Sequence, residues 1–270
     1  MLFAVWVVIS NNWIDVENSM QHDELYFTPE RFSRTELFIG KAAVDCLAAS
    51  HVAIFGVGGV GGYAVEALVR AGIGTLTIVD GDCFSTNNIN RQLHALDSTV
   101  GCSKVEVVRE RCLAINPDVV VNACHCRYTN SSSDALLGVD FTYVIDCIDT
   151  ITDKLDLICA CRQQKLPVIT SMGAANKIDP TLVRVGDLFS SEKCRLARIM
   201  RKELRRRGVC CSVEAVYSTE DYHRLEKRMM ADGCVARSPV LGSIATIPSL
   251  FGLMLAGTIV QKLVEVCSGT

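Results

Sequence analysis

A glycine-rich hexapeptide between an apolar strand and a helix places the strongest restriction on the fold of this chain. Residues 56–61 read Gly-Val-Gly-Gly-Val-Gly, directly after the apolar run 51–55 and at the start of a helical pattern. Glycines let the backbone turn sharply and approach a phosphate, and the N-terminus of the following helix offers free N–H groups. We therefore expect a nucleotide-binding turn built from Gly56, Gly58, Gly59 and Gly61.

Short apolar runs alternate with helical patterns along most of the chain, as in a parallel sheet covered on both faces. The pattern predicts an α/β fold with a doubly wound, Rossmann-like, mostly parallel sheet, whose irregular C-terminal half completes the same domain. We expect one domain over 31–266, after an N-terminal extension over 1–30. The predicted strands are 51–55, 76–79, 119–123, 142–145, 167–171, 181–185 and 212–217, and the predicted helices are 36–49, 60–71, 104–115, 154–164, 192–207 and 249–266.

Polar side chains follow the second predicted strand. Asp80 ends that strand and is placed to accept hydrogen bonds from a ribose hydroxyl. Arg91 and Lys104 could neutralise phosphate charge, and Asn87 and Asn90 could bind phosphate or metal-bound water. A dehydrogenase that binds NAD would have the same glycine turn and ribose carboxylate, but the added amides and cations favour a triphosphate. As an alternative, the two cations are ordinary surface residues.

A carboxylate follows the predicted strand over 142–145. Asp149 lies in the sequence Asp-Cys-Ile-Asp, at the end of the sheet where open α/β folds bind ligands. There it could hold the magnesium ion that bridges phosphate oxygens. Alternatively, Asp149 caps the helix that follows.

The charge of the chain excludes one class of function. With 27 basic and 30 acidic side chains, the formal net charge is −3, so the chain is not a globally basic nucleic-acid binder. Residues 193–207 nevertheless hold eight cations and one carboxylate, Glu203. Such a run favours a local phosphate-binding face, although charged runs are commonly solvated helix faces.

The chain has fourteen cysteines, whose spacing and surroundings indicate the redox state of its cellular compartment. None is three residues from another, so no CxxC pair predicts a zinc site. Most lie in apolar segments, and we expect reduced, buried thiols and a cytoplasmic location. Cys234 lies in a polar segment and is the candidate for a reactive thiol, unless it is only incidentally exposed.

Two apolar segments could suggest a membrane. Residues 1–9 are too short for a signal peptide and lack a basic start, and Met20 is an alternative first residue. The uncharged stretch 238–261 is interrupted by prolines and glycines. It predicts a strand, turn and helix in the core or at a subunit interface, without stable membrane insertion.

Five motifs occur in a characteristic order: GVGGVG, VDGD, NNINRQ, GCSK and DCID. In this order they resemble the ubiquitin-activating-enzyme-like superfamily, which includes ThiF and MoeB, and Arg31–Arg34 resembles its N-terminal RxxR motif. The resemblance implies adenylation of a carboxylate with ATP by a homodimer. It implies that Asp80 binds ribose and that Asn87 to Arg91 line the phosphates. Arg91 and Lys104 would stabilise the transferred group, and Asp149 would hold magnesium. Arg34 would reach the site from the partner subunit.

Further segments are similar to one branch, the tRNA threonylcarbamoyladenosine dehydratases of the TcdA/CsdL type. These segments are 31–40, 90–96, 178–181, 217–220 and 242–252. The absence of the paired CxxC zinc ligands that ThiF and MoeB relatives usually carry agrees with this branch. The branch implies ATP-dependent ring closure of threonylcarbamoyladenosine beside the tRNA anticodon, and a sulfur-relay acceptor protein as a possible partner. The tRNA would then meet Arg201, Lys202, Arg205, Arg206 and Arg207.

Three other functions stay open at this point. One is adenylation of the C-terminus of a ubiquitin-like sulfur carrier, as in ThiF and MoeB. A second is an NAD-dependent oxidoreductase, which would leave the polar series from Asn87 to Asp149 unexplained. A third is a nucleotide-sensing scaffold without catalysis.

Overall fold

A seven-stranded sheet carries the fold, in a computed structural model that describes residues 6–9, 12–15, 28–210, 212–221 and 241–268. The strands are β1 Trp6–Ile9, β2 Asn12–Asp15, β3 His51–Phe55, β4 Thr75–Val79, β5 Val120–Cys124, β6 Tyr143–Asp146, β7 Val168–Ser171, β8 Val183–Asp187 and β9 Glu214–Ser218. The helices are α1 Ser33–Ile39, α2 Lys41–Ala49, α3 Gly61–Ala71, α4 Lys104–Ile115, α5 Ser133–Leu137, α6 Ile151–Gln163, α7 Arg195–Arg206 and α8 Thr246–Ser268.

The order of the strands confirms the doubly wound sheet. The sheet runs β5-β4-β3-β6-β7-β9-β8, and every pair is parallel except β8 with β9. From β3 the chain adds strands on one side and then crosses to β6 on the other. Phe55 pairs with Asp146, so β3 and β6 end side by side. Their carboxyl ends form the switch point at which such sheets bind ligands. The strands β1 and β2 form a separate antiparallel pair.

Helices cover both faces of the sheet because side chains of the central strand alternate between two cores. Val52 and Ile54 pack with α2, α3, α4 and α8, while Ala53 and Phe55 pack with α5 and α6. A third cluster joins α6 to α7. All four of these β3 side chains are fully buried. This burial explains why the run His51–Phe55 is apolar throughout rather than alternating with polar residues.

The predicted helix over 36–49 is wrong as a single element. The structure has two helices, which meet at Gly40 with φ of 82°. This positive φ, with ψ of 160°, ends α1 and suits a glycine, because residues with a side chain rarely adopt it. The apolar spacing continues through the break, so the periodicity alone did not reveal it.

The segment 238–261 also differs from its prediction. No strand occurs over 241–245, and α8 begins at Thr246, with Pro248 tolerated in its first turn. Between Thr246 and Cys267, α8 is long and apolar enough to cross a membrane. However, Phe251, Leu255 and Ile259 are fully buried in the core against α3. The helix therefore has the packing of a core element.

The cysteines correct another expectation. Cys46 on α2 and Cys267 on α8 are joined in a disulfide, whereas all cysteines were expected to be reduced. Local sequence did not reveal the pair, because its members are 221 residues apart. Cys112, Cys161 and Cys194 are buried as expected, and four others are exposed: Cys83, Cys102, Cys126 and Cys210. Cys234, and nearly all of the loop predicted over 219–236, lie outside the described residues.

Two glycines of α8 give a matched test of its packing. A Cβ added to Gly252 would lie 2.3 Å from the carbonyl oxygen of Val60, whereas one added to Gly257 meets nothing within 4 Å. We expect Gly252→Ala to lower the free energy of unfolding by about 2 kcal/mol or more, because backbone must shift. Gly257→Ala should raise it by about 0.5–1 kcal/mol, because alanine favours the helix. Chemical denaturation measures both, and equal effects would contradict this packing.

Candidate active site

A large cleft opens at the carboxyl ends of β3, β4 and β6, where the sheet changes direction. Its volume is about 1540 Å³. Glycine, amide and charged side chains dominate the side nearest β3 and β4, while Ala174, Ala175 and the segment 241–243 form the opposite wall. Nine of the residues predicted from the sequence line this one cleft: Gly56, Gly58, Gly59, Asp80, Asn87, Asn90, Arg91, Lys104 and Asp149.

The glycine turn has the conformation that its sequence predicts. Gly56 has φ of 88°, and a Cβ there would lie 2.8 Å from the carbonyl oxygen of Cys147. Gly61 does not line the cleft; a Cβ on it would lie 1.8 Å from the carbonyl oxygen of Gly56. Gly61 therefore closes the turn, while Gly56, Gly58 and Gly59 face the cleft at the N-terminus of α3.

Asp80 holds the glycine turn from the neighbouring strand. Its Oδ2 accepts a hydrogen bond from the N–H of Val57 at 2.9 Å, and its Oδ1 accepts one from the N–H of Asp82 at 2.9 Å. Each carboxylate oxygen can accept more than one hydrogen bond. Asp80 can therefore brace the loop and still accept from a ribose hydroxyl.

A cation–carboxylate cluster lies beside Asp80. Lys104, which is only 7% exposed, places Nζ 3.1 Å from Asp82 Oδ2, and Arg127 Nη2 lies 2.8 Å from Asp82 Oδ1. Burial alone would raise the pKa of Asp82, but the hydrogen bonds from Arg127 and Lys104 outweigh it and lower that pKa. Lys104 Nζ also lies 3.9 Å from Asp80 Oδ1, so two cations and two carboxylates form one network at the cleft.

The loop after β4 fixes the predicted amides and arginine. Arg91 Nη1 donates to the carbonyl oxygen of Asn87 at 2.7 Å and to Asn90 Oδ1 at 2.9 Å. Asn90 Nδ2 donates to the carbonyl oxygen of Ser243 at 2.9 Å. The loop therefore carries the guanidinium to the cleft and also reaches the wall on its far side.

Asp149 lies at the cleft in the turn between β6 and α6. It is exposed, and the N-cap of α6 is Thr150, so Asp149 does not cap that helix. Asp153, in the first turn of α6, also lines the cleft. Magnesium is commonly held by one or two carboxylates together with phosphate oxygens and water. The described residues contain no group of three or more metal-ligating side chains, so this donor set fits an ion brought by a nucleotide.

Comparison with known proteins identifies the family of this cleft. The model of the ThiF family matches residues 32–269. The chain belongs to the ThiF family. The tRNA threonylcarbamoyladenosine dehydratase of Bacillus subtilis (strain 168) is 39% identical over 241 residues, which are 87% of this chain and 95% of the relative. That of Escherichia coli (strain K12) is 34% identical over 250 residues, which are 87% of this chain and 93% of the relative.

Solved structures agree with this membership. The crystal structure of E. coli tRNA N6-threonylcarbamoyladenosine dehydratase, TcdA, in complex with ATP superposes with a TM-score of 0.79 at 32% identity. The match covers 89% of this ThiF-family chain and 96% of that one. A second structure of the same enzyme contains AMP with the same TM-score and coverage.

Some predicted residues of this ThiF-family chain lie away from the cleft. Arg34 is exposed on α1, and Phe32 just before it packs against Gly72 at the far end of α3. Within one subunit, Arg34 is therefore at the opposite edge of the sheet from the glycine turn.

The basic helix α7 extends away from the cleft. Leu196, in its first turn, lies next to Gly173, close to the cleft wall. The arginines at its other end are about 16 Å further along the helix, at 1.5 Å per residue. Arg201 donates to the carbonyl oxygen of Ser191 at 2.8 Å, and Arg207 pairs with Asp156. Lys202, Arg205 and Arg206 are exposed.

The cleft also contains residues to which the sequence motifs assigned no role of their own. These residues are Asp82, Gln92, Arg127 and Asp153. A positional signal could have found Arg127, because it closely follows the end of β5, next to β4, which Asp80 follows directly. Residues after the carboxyl ends of adjacent parallel strands meet at one edge of a sheet.

The buried imidazole of His94 makes the helix beside the glycine turn sensitive to pH. Its ring lies against Gly62, and its Nε2 is 3.9 Å from Glu66 Oε2. Burial lowers the pKa of His94 from 6.5 to about 4, although Glu66 acts in the opposite direction. Between these values the unfolded chain binds a proton that the native state does not. Stability from the neutral ring is therefore complete above pH 6.5 and lost as the pH falls toward 4.

We expect this effect to reach about 3 kcal/mol between pH 6.5 and 4, and His94→Gln should remove it. Urea denaturation across this range gives the free energy of unfolding at each pH. His125→Gln, which removes an exposed imidazole, is the control and should keep the wild-type pH dependence. An unchanged pH dependence in His94→Gln would contradict the assignment.

Proposed function

We propose that this chain is an ATP-dependent tRNA threonylcarbamoyladenosine dehydratase, with residues 31–266 as one adenylation domain. The observation that carries the proposal is the convergence of a glycine turn, Asp80, Lys104, Arg91 and Asp149 on one cleft at the switch point. The near full-length similarity to enzymes of that name supports the choice of substrate.

The proposed reaction begins with the free carboxylate of threonylcarbamoyladenosine. A carboxylate oxygen is a poor leaving group, so the carboxylate first attacks the α-phosphate of ATP and pyrophosphate departs. The acyl-adenylate then offers AMP as the leaving group. The carbamoyl group of the same nucleoside attacks the activated carbonyl, loses a proton and closes a ring as AMP departs with the former carboxylate oxygen. The nucleoside has then lost the elements of one water. Since this nucleophile is tethered, the step gains from a high effective concentration and needs no thioester cysteine.

The side chains of the cleft have separate roles in this proposal. The glycine turn and Asp80 bind the nucleotide, and Lys104 and Arg91 stabilise negative charge on the transferred phosphoryl group. Asp149 would hold magnesium, which supplies charge neutralisation at phosphate oxygens when bound. Asp82 keeps Lys104 and Arg127 oriented toward the cleft before the nucleotide arrives.

The two other enzymatic functions explain less of this cleft. An NAD-dependent oxidoreductase accounts for the glycine turn and Asp80 but gives no role to Lys104, Arg91 and Asp149 together. Adenylation of a sulfur carrier would use the same cleft. Against it stand the missing CxxC pairs and a similarity to dehydratases that extends over almost the whole chain.

We also propose a homodimer in which Arg34 completes the site of the partner subunit. Arg34 cannot serve the cleft of its own subunit, because α1 lies at the opposite edge of the sheet. Leu37 and Phe38 follow Arg34 by one helical turn and are 87% and 89% exposed. Such adjacent apolar side chains on a surface helix are typical of a protein interface.

The proposed tRNA face is α7. Ala197, Met200 and Leu204 are buried, which leaves the cations to the outer side of the helix. All five proposed residues lie on this helix or directly after it, and Lys202, Arg205 and Arg206 are exposed. Arg206 pairs with Glu203 on the same helix and Arg205 lies over the ring of Phe189, whereas Arg201 and Arg207 contact other segments. The face extends from the cleft toward the amino edge of the sheet, as a tRNA arm docked at the cleft would require. We further propose that the protein is located in the cytoplasm and that a sulfur-relay acceptor protein is a partner.

Ring closure is tested on purified protein with ATP, magnesium and tRNA that carries threonylcarbamoyladenosine. We expect mass spectrometry of the digested nucleosides to show loss of one water from the modified adenosine. Lys104→Ala should slow this reaction by about 100-fold or more, because a cation near the transferred group is lost. Arg109→Ala, on the exposed side of the same helix, should retain wild-type activity.

Further arms of this experiment separate the alternatives. Replacing Lys202, Arg205 and Arg206 with Glu should weaken tRNA binding and leave ATP binding intact, whereas equal loss of both would indicate unfolding. Arg207 is left unchanged because it pairs with Asp156. Thermal stabilisation by NAD instead of ATP with magnesium would contradict the proposal. Pyrophosphate exchange that requires a sulfur-carrier protein would also contradict it. So would a modified adenosine whose mass is unchanged after the tRNA is incubated with the protein and ATP.

The shared site is tested by mixing two inactive variants. Arg34→Ala and Lys104→Ala subunits, unfolded together and refolded, should form mixed dimers with one complete site. We expect the mixture to recover activity that neither variant has alone, since each supplies what the other lacks. No recovery, with dimers verified by light scattering, would show that Arg34 does not act across the interface.

A further inference from the structure

A fully buried ion pair lies directly below the cleft. Asp146 ends β6 and Lys154 lies on α6; they are 0% and 1% exposed, with Lys154 Nζ 2.8 Å from Asp146 Oδ2. Thr170 of β7, also fully buried, donates to the same Oδ2 at 2.6 Å and accepts from Lys154 Nζ at 3.1 Å. Three neighbouring elements therefore meet in one polar network.

Stability alone is a weak reason for such a network. Removing two charges from water is costly, and apolar side chains of similar volume often stabilise a core as well or better. None of the three residues lines the cleft, so none is placed to touch a nucleotide. A role in holding backbone at a defined position explains their presence better.

The backbone that the network holds is the turn with Asp149. Asp146 uses its second oxygen, Oδ1, to accept a hydrogen bond from the N–H of Ile148 at 3.1 Å. Lys154 Nζ also lies 3.4 Å from the carbonyl oxygen of Asp146. The side chain of Asp146 thus bends the chain immediately before Asp149, and Lys154 and Thr170 fix that side chain.

The same turn is in contact with the glycine turn. Cys147 donates its N–H to the carbonyl oxygen of Phe55 at 2.8 Å, and its own carbonyl occupies the space where Gly56 would have a Cβ. A shift of the turn by a fraction of an ångström therefore alters the distance between Asp149 and the phosphate-binding backbone. One nucleotide can contact Asp149 and the glycine turn together only if this distance is correct.

We propose that Asp146, Lys154 and Thr170 are positioning residues that set Asp149 against the glycine turn. This inference rests on the proposed function, in which Asp149 holds magnesium bound to ATP. The network acts through the turn and makes no contact with substrate. Its effect is on how strongly magnesium improves ATP binding and on the rate of adenylation.

Thr170→Val tests the role with little change in shape, because it replaces the hydroxyl by a methyl group. We expect calorimetry to show that the gain in ATP affinity on adding magnesium falls by about fivefold or more, while affinity without magnesium stays the same. The kcat for tRNA dehydration should fall about tenfold with KM for tRNA unchanged, because misplaced groups lower the rate more than binding. Thr170→Ser retains the hydroxyl and should restore both. If Thr170→Val does not fold, Thr170→Ala serves.

The matched control is Thr77→Val on β4. Thr77 is also buried, away from the cleft; its hydroxyl accepts a hydrogen bond from Asn122 Nδ2 at 3.2 Å and lies 2.8 Å from Nε2 of His51. Thr77→Val should lower the free energy of unfolding without changing the gain in ATP affinity on adding magnesium. An equal change in Thr77→Val, or a wild-type magnesium effect in Thr170→Val, would overturn the positioning role. Wild-type protein that binds ATP with magnesium but does not dehydrate tRNA would instead contradict the proposed function, and the calorimetric comparison would still decide the positioning role.

Discussion

The close backbone approach between Gly56 and Cys147 governs the geometry of the cleft. Two parallel strands end side by side, and their loops can meet only if one of them lacks a side chain at the contact. Glycine at position 56 satisfies this condition, and Asp80 and Asp146 then stabilise the two loops from opposite sides. Each carboxylate accepts backbone N–H groups, so the loops keep their shape without a ligand.

Charge in the cleft is partly balanced before any nucleotide binds. Lys104 is almost fully buried, and an isolated ammonium group there would be strongly disfavoured. Asp82 and Asp80 together compensate for that cost, and Asp82 also orients Arg127. A bound phosphate group would therefore compete with these carboxylates for the two cations.

Local motifs predicted the fold and most of the cleft, because the relevant residues lie within a few positions of strand ends. Asp80, Arg91, Lys104 and Asp149 could be assigned this way. The network of Asp146, Lys154 and Thr170 could not be assigned from local motifs, because it forms only when α6 packs against β6 and β7. Gly40 was missed because apolar spacing continues across it. The role that its motif implies for Arg34 cannot be tested in one subunit, because Arg34 lies at the opposite edge of the sheet from its own glycine turn.

The bond between Cys46 and Cys267 turns most of the polypeptide into a covalent ring. The ring spans 221 residues, and closing a loop of that size removes unfolded-state entropy equivalent to about 5 kcal/mol at 25 °C in the chain-entropy treatment. An oxidised molecule cannot detach its last helix completely from α2, even when thermal motion loosens the core. In a reducing environment the same helix is retained by apolar burial and by the ion pair of Lys262 with Glu214, so fraying would begin at its free end.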